Sequence, residues 1–174
     1  MKNTFFEKDA LKPEMFCRES TYDWYISADK IFKSSIEGFK DFSKILGMEF
    51  HVSRFSLFDG AKSSDSAVVA KDVNVYMESG VHCAMIQGRL AKGIVIPKIT
   101  IKKTTFLVGK IEILETKEFS QAVIQSFSIA GDVVSFSFRY SSYSDTYTDF
   151  DEKGINKGTA ATKVDLAKWD VKDS

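Results

Sequence analysis

The side chains that could act as nucleophile, base or metal ligand are few. Two cysteines, Cys17 and Cys83, and two histidines, His51 and His82, are the whole supply of thiol and imidazole groups. Nucleophilic catalysis needs an activated serine or cysteine beside a base. His82 and Cys83 are adjacent, and neighbours on a helix point to different faces, so they do not make a dyad there. A surface histidine beside a cysteine packed as a small hydrophobe is the plainer reading. The chain has no G-x-S-x-G elbow. Structural zinc takes about four ligands, usually in close-spaced pairs. No C-x-x-C occurs, and only a coincidence of folding would bring Cys17 and His51 to the adjacent His82 and Cys83 as a four-ligand site. Asp149-Phe150-Asp151-Glu152-Lys153-Gly154 begins like a calcium loop, with acids first and third and glycine sixth. Its fifth position is Lys153 and its twelfth Ala160, so an acidic turn between strands fits better. Walker and G-x-G-x-x-G loops are missing. Lys98, Lys102 and Lys103 form a small basic cluster that alternates with Thr and Ile, as on a solvated sheet face. Phe136, Phe138 and Tyr140 could stack bases, but serines alternate with them, and such a row more often forms core. No catalytic residue, metal site or cofactor is expected.

The elements that would position these groups are mostly strands. Val134, Phe136, Phe138 and Tyr140 share one parity, opposed by Ser135, Ser137 and Arg139. This is the cleanest period-two run, and residues 129–133 make a tight connection before it, so 122–140 reads as a hairpin. Val73, Val75 and Met77 alternate, as do Ile99 and Ile101. Leu107, Gly109, Ile111 and Ile113 share a parity, and so do Val123, Gln125, Phe127 and Ile129. Residues 48–52 alternate, and the phase slips near Ser53–Arg54, which a bulge explains. The small, polar segment Phe58–Ala67 reads as a turn or exposed loop. Asp149–Gly158 is a turn-rich connection, and Ala167, Trp169 and Val171 suggest a last strand. The main helix is expected over Ser79–Lys92, capped by Ser79, ended by Gly93, and packed through Val81, Met85 and Leu90. Lys8–Phe16 or Ile36–Ile45 is a candidate second short helix. The fold class expected is mainly β: a two-sheet β-barrel or sandwich with one main α-helix packed on it, plus an N-terminal extension.

The chain has 174 residues, about one domain. Lys+Arg is 24 and Asp+Glu is 24. A neutral balance argues against coating nucleic acid, which needs a basic face, and weakens attraction to a membrane surface. No apolar run approaches the ~18 residues of a membrane span. Met1–Phe16 carries Glu7, Asp9 and Glu14 and has no apolar h-region, so no secretory signal peptide is expected. Synthesis in the cytoplasm follows, with any exit from the cell by a dedicated route.

The order of segments resembles the haemolysin-coregulated protein (Hcp) family, the tube protein of type VI secretion systems. Ile26–Phe32, then Gly38-Phe39-Lys40-Asp41-Phe42, then Ile45–Val52 is similar to the family's opening. Val69–Tyr76 followed by Ser79–Gly93 resembles the strand that leads into its main helix. Ile99–Lys103, Val108–Ile129 and Val133–Ser141 resemble the strands that follow. Tyr147–Gly154 resembles its closing turn, and Lys168-Trp169-Asp170 its terminal Trp-Asp pair. Glu78-Ser79-Gly80 replaces the usual Asp-x-x-Ser-Pro helix start, and residues 1–23 have no counterpart in a standard member. The division expected is an N-terminal extension over 1–23 and an Hcp-like domain over 24–174. The resemblance implies a structural protein, not an enzyme. Its partners would be itself, as homohexameric rings stacked into a tube, and the sheath, spike and effector proteins of the apparatus. It would leave the bacterial cytoplasm through that apparatus, without a cleaved signal, membrane insertion or nucleic acid. The segment 58–67 matches the family's extended loop between early strands, which implies Asp59, Lys62, Ser64 and Asp65 as ring-stacking contacts. A monomeric small-molecule-binding β-barrel is the competing reading. A hydrolase built on Cys83 or a serine is a third.

Overall fold

The structure, a computed structural model, describes residues 22–32, 39–59 and 62–166, with the backbone alone at 54–59 and 62–68. In chain order the elements are β1 (Tyr22–Ala28), β2 (Ser43–Ile45), β3 (Gly47–Glu49), β4 (Val52–Asp59), β5 (Lys62–Ala70) and β6 (Val73–Glu78). Then come α1 (His82–Lys92), β7 (Ile96–Leu107), β8 (Lys110–Ala130), β9 (Val133–Arg139), β10 (Ser142–Phe150) and β11 (Asn156–Asp165). The chain is mainly β with one helix among the described residues, as the alternation predicts.

Nine strands form one antiparallel sheet in two halves that share β8. The first half runs β2-β1-β7-β8-β10-β11 and the second β8-β9-β6-β3. The 21-residue β8 has β10 beside Glu115–Ser120 and β9 beside Val123–Ala130. The changeover falls where Gln121 takes φ 51, a left-handed conformation that turns the strand. Opposite it, Ser141 donates to the Ser120 carbonyl twice, from its backbone N–H at 3.0 Å and its hydroxyl at 3.1 Å. A further register shift falls between Ile124 and Ser126. These two irregularities overturn the single parity expected for residues 123–129. Ala122 and Ile124 are buried instead, and Ile129 is exposed.

The two free ends of the strand path, β2 and β3, are separated by Leu46 alone, whose N–H bonds the Tyr76 carbonyl at 2.8 Å. Among the described residues no ladder joins β2 to β3. The closed barrel among the expectations is therefore replaced by a curled, open sheet. Its interior is filled by Ile26, Ile99 and Phe119 from one half and Val75, Phe136 and Phe138 from the other, with Ile86 of α1. Phe119 meets Phe138 edge-on at 5.2 Å and Tyr140 at 5.0 Å. Such aromatic pairs add to the ~25 cal/mol per Å² of ordinary apolar burial.

Other expectations shift. Leu107–Ile113 crosses a turn at Val108 (φ 49) and Gly109 (φ 81), the paired positive angles of a tight hairpin connection. The turn expected over Asp149–Gly158 shrinks to 151–155, because β10 and β11 extend into both flanks. Val81, not Ser79, is the cap residue of α1, and no side chain caps it. The helix buries Ile86, with Cys83 and Leu90 half-buried beside it, while Val81 and Met85 are exposed. Gly93 ends the helix in the left-handed conformation (φ 58), as expected. Ser43–Ile45 is a strand, not helix. Lys8–Phe16, Ala167–Val171 and Lys168-Trp169-Asp170 lie outside the described residues.

Candidate assembly surfaces

β4 and β5 pair with each other and stand apart from the nine-stranded sheet. The arm is fastened at its base where the Lys71 N–H donates to the His51 carbonyl at 3.1 Å. The segment expected to be a loop is thus mostly strand. Cross-strand pairing satisfies the backbone of both strands whatever their side chains are. Asp59 and Lys62 are register partners at the tip, and Ser64 lies opposite Leu57. Asp65 falls in the register shift between Phe55 and Leu57. The four residues implied as stacking contacts therefore share the outer half of one hairpin.

At the sheet's margin, β11 pairs, among the described residues, with β10 alone. Residues 156–163 of it are all exposed. Lys157, Gly158, Ala160, Ala161 and Lys163 leave a margin poor in bulky apolar groups, the composition expected of a guarded edge.

The possible chemical groups are occupied structurally. His82 Nε2 lies 3.0 Å from the Glu78 carbonyl, and Cys83 Sγ accepts from the Gly80 N–H at 3.3 Å. Asp151 Oδ1 accepts the N–H groups of Lys153 at 2.9 Å and Ile155 at 2.8 Å, so the calcium-like loop is a carboxylate-stapled turn. The basic cluster does not form a patch. Lys98 pairs with Glu118 at 2.9 Å, Lys102 sits 4.6 Å from the Phe42 ring, and Lys103 sits 4.4 Å from the Tyr22 ring. Phe136, Phe138 and Tyr140 are core.

Spacing alone gave no reason to single out a buried ionic cluster across β8 and β10. Lys117 and Asp145 are register partners, and Glu115 faces Tyr147 one step along. Lys117, Glu115 and Asp145 are all at least nine-tenths buried. The ammonium bonds Asp145, Glu115 at 2.5 Å and the Tyr147 hydroxyl at 3.1 Å, and lies 5.0 Å from the Phe50 ring. Burial opposes its charge, but the bonds to Asp145, Glu115 and Tyr147 prevail and hold its pKa above the ordinary lysine value. A lysine nucleophile needs the opposite shift. This group fixes strands and is not activated for attack. Glu115 and Lys117 share the parity of buried Phe119, which bears on their burial but not on their partner Asp145 across the sheet.

A curled antiparallel sheet, one helix on its long strand and a detached hairpin arm define the class of fold. It is the fold of Hcp proteins. A type six secretion system protein superposes with a TM-score of 0.74 at 16% identity, covering 84% of this chain and 96% of that one. Hcp1 from Salmonella typhimurium matches at 0.66 and 14% identity, over 84% and 95% of the two chains. Hcp3 from Pseudomonas aeruginosa matches at 0.57 and 17%, over 80% and 97%. No protein-family model and no curated protein matches the sequence.

Proposed function

We propose that this chain is a structural, non-catalytic subunit of a type VI secretion tube. Six copies form a ring, rings stack, and the stack is expelled with effectors when the sheath contracts behind the spike. The protein is made in the cytoplasm and leaves through the apparatus. The observation that carries this reading is the near-complete overlap with a type six secretion system protein, 96% of that chain at a TM-score of 0.74. Three features agree with it. The arm of β4 and β5 extends from the body, where Asp59, Lys62, Ser64 and Asp65 can meet the next ring. Among the described residues β11 has a single ladder partner, which leaves a sheet margin available to a heterologous ring contact. Zero formal net charge does not oppose close packing of many copies. Among the described residues the interior is packed with aliphatic and aromatic side chains, which does not favour the small-molecule barrel.

Light scattering after size exclusion, with negative-stain images of the peak, tests the reading. The expected species has six times the 19.6 kDa chain mass and appears as rings. A monomer at every concentration, with or without residues 1–21, overturns it.

A further inference from the structure

A groove of about 450 Å³ opens at the end of the curled sheet where β1 begins, between the β7–β8 hairpin and the β10–β11 turn. Small-ligand sites occupy roughly 300–1,000 Å³. Register builds its floor: Lys103, Glu115 and Tyr147 lie side by side across β7, β8 and β10, and opposed residues share a face of the sheet. Two residues further along that face come Lys117 and Asp145, and then buried Phe119. The groove is therefore the charged rim of the face that carries the core. Tyr22, Tyr147 and Phe150 give it ring walls, and both tyrosines are exposed. Its charge is unbalanced. Lys103 stands among Glu115, Asp149, Asp151 and Glu152. Glu115 is engaged by Lys117, and Asp151 Oδ1 by the amides of its own turn. Asp149 and Glu152 form no ion pair among the described residues. The ring walls already hold cations: Lys103 Nζ lies 4.4 Å from the Tyr22 ring and Lys117 Nζ 5.2 Å from the Tyr147 ring.

We infer that this groove binds a guanidinium group, the side chain of an arginine presented by another polypeptide. Carboxylates at the rim and ring faces in the walls are the two surfaces a guanidinium matches. It forks onto a carboxylate with two parallel N–H donors and stacks flat on an aromatic ring. It also sheds water more readily than an ammonium does, which favours arginine over lysine here. Leu107 and Leu114 line the same groove and suit the apolar stem of that side chain. Asp149 and Glu152 supply the unpaired charge, and Tyr147 and Phe150 the rings. The inference does not depend on the tube reading.

Saturation-transfer NMR on the full chain, observing the ligand, tests it. The probe is N-acetyl-arginine methylamide, and N-acetyl-citrulline methylamide is its neutral isostere. Saturation should reach the side-chain methylenes of the arginine probe. That probe should bind about tenfold more tightly than the citrulline control, the worth of one charge-assisted hydrogen bond. Asp149→Asn with Glu152→Gln, neutral replacements of similar size at two exposed positions, should abolish the preference. Phe150→Leu, which keeps the wall apolar and removes the ring, should weaken the arginine probe about threefold. Circular dichroism checks that each variant is folded. No saturation of the arginine probe, equal binding of the citrulline control, or a preference that survives the Asp149 and Glu152 double substitution overturns the inference. Equal binding of N-acetyl-lysine methylamide overturns the choice of a guanidinium.

Discussion

Removing the ammonium of Lys117 leaves Glu115 and Asp145 facing each other on a buried stretch of β8 and β10. Asp145 Oδ1 already lacks a hydrogen-bond partner, so the site has no spare donor to compensate. Breaking a buried ion pair from one side costs about 3–5 kcal/mol. Lys117→Met should lower the melting temperature by about 10 °C. Adding Glu115→Gln and Asp145→Asn should recover most of the loss, as thermal unfolding followed by circular dichroism will show. Tyr140 sets the alkaline limit. Burial, followed by the Tyr143 and Asp72 charges, pushes its pKa from 10.0 up to about 12. The folded chain thus keeps a proton that the unfolded chain gives up. Its stabilising contribution is complete below pH 10 and is lost as the pH climbs to about 12. Lys117 acts in the same direction from its ordinary 10.5 upward. Stability should therefore fall above pH 10. Tyr140→Phe removes a buried hydroxyl with no partner. It should leave stability at pH 8 equal or about 1 kcal/mol higher. It should also flatten the decline between pH 10 and 12, read by urea unfolding at each pH.

The strands that were legible in the sequence are those whose parity is unbroken. β6 and β9 bury Val73, Val75, Met77, Val134, Phe136 and Phe138 as the alternation says. β8 was misread because Gln121 turns it and a bulge follows, and neither event has a glycine or proline to announce it. The helix was placed correctly and its buried face was not, because Val81 and Met85 satisfy a spacing rule without facing the sheet. The arm of β4 and β5 was located as a segment but read as a loop, since its small, polar sequence does not announce that its two strands pair with each other. The ionic cluster needed register between β8 and β10, which spacing within one segment does not carry. The arm's geometry gives a test at this scale. Its ends are already within one hydrogen bond, His51 to Lys71. Replacing residues 52–70 by a short turn should leave the melting temperature within a few degrees and rings intact while stacking fails, read by thermal unfolding and negative-stain microscopy.

Across the whole molecule, the open sheet assigns different jobs to its margins. Among the described residues β11 has one ladder partner and carries lysines, the β4–β5 arm is a sheet of its own, and the curled interior holds a cluster of aromatic rings. The order of the strands also fixes a timetable. β1 pairs with β2 soon after it, but its other partner is β7, where Asp23 lies opposite Thr104, 81 residues away along the chain. Closing a loop of that length costs about 4 kcal/mol of chain entropy, against far less for the β8–β9 or β10–β11 hairpins. During synthesis β1 leaves the ribosome long before β7 exists. Tyr25 and Ile26, buried in the finished fold, are without their cover from β7 through that interval. The nascent chain therefore carries β1 and its apolar residues without their cover until the far partner emerges.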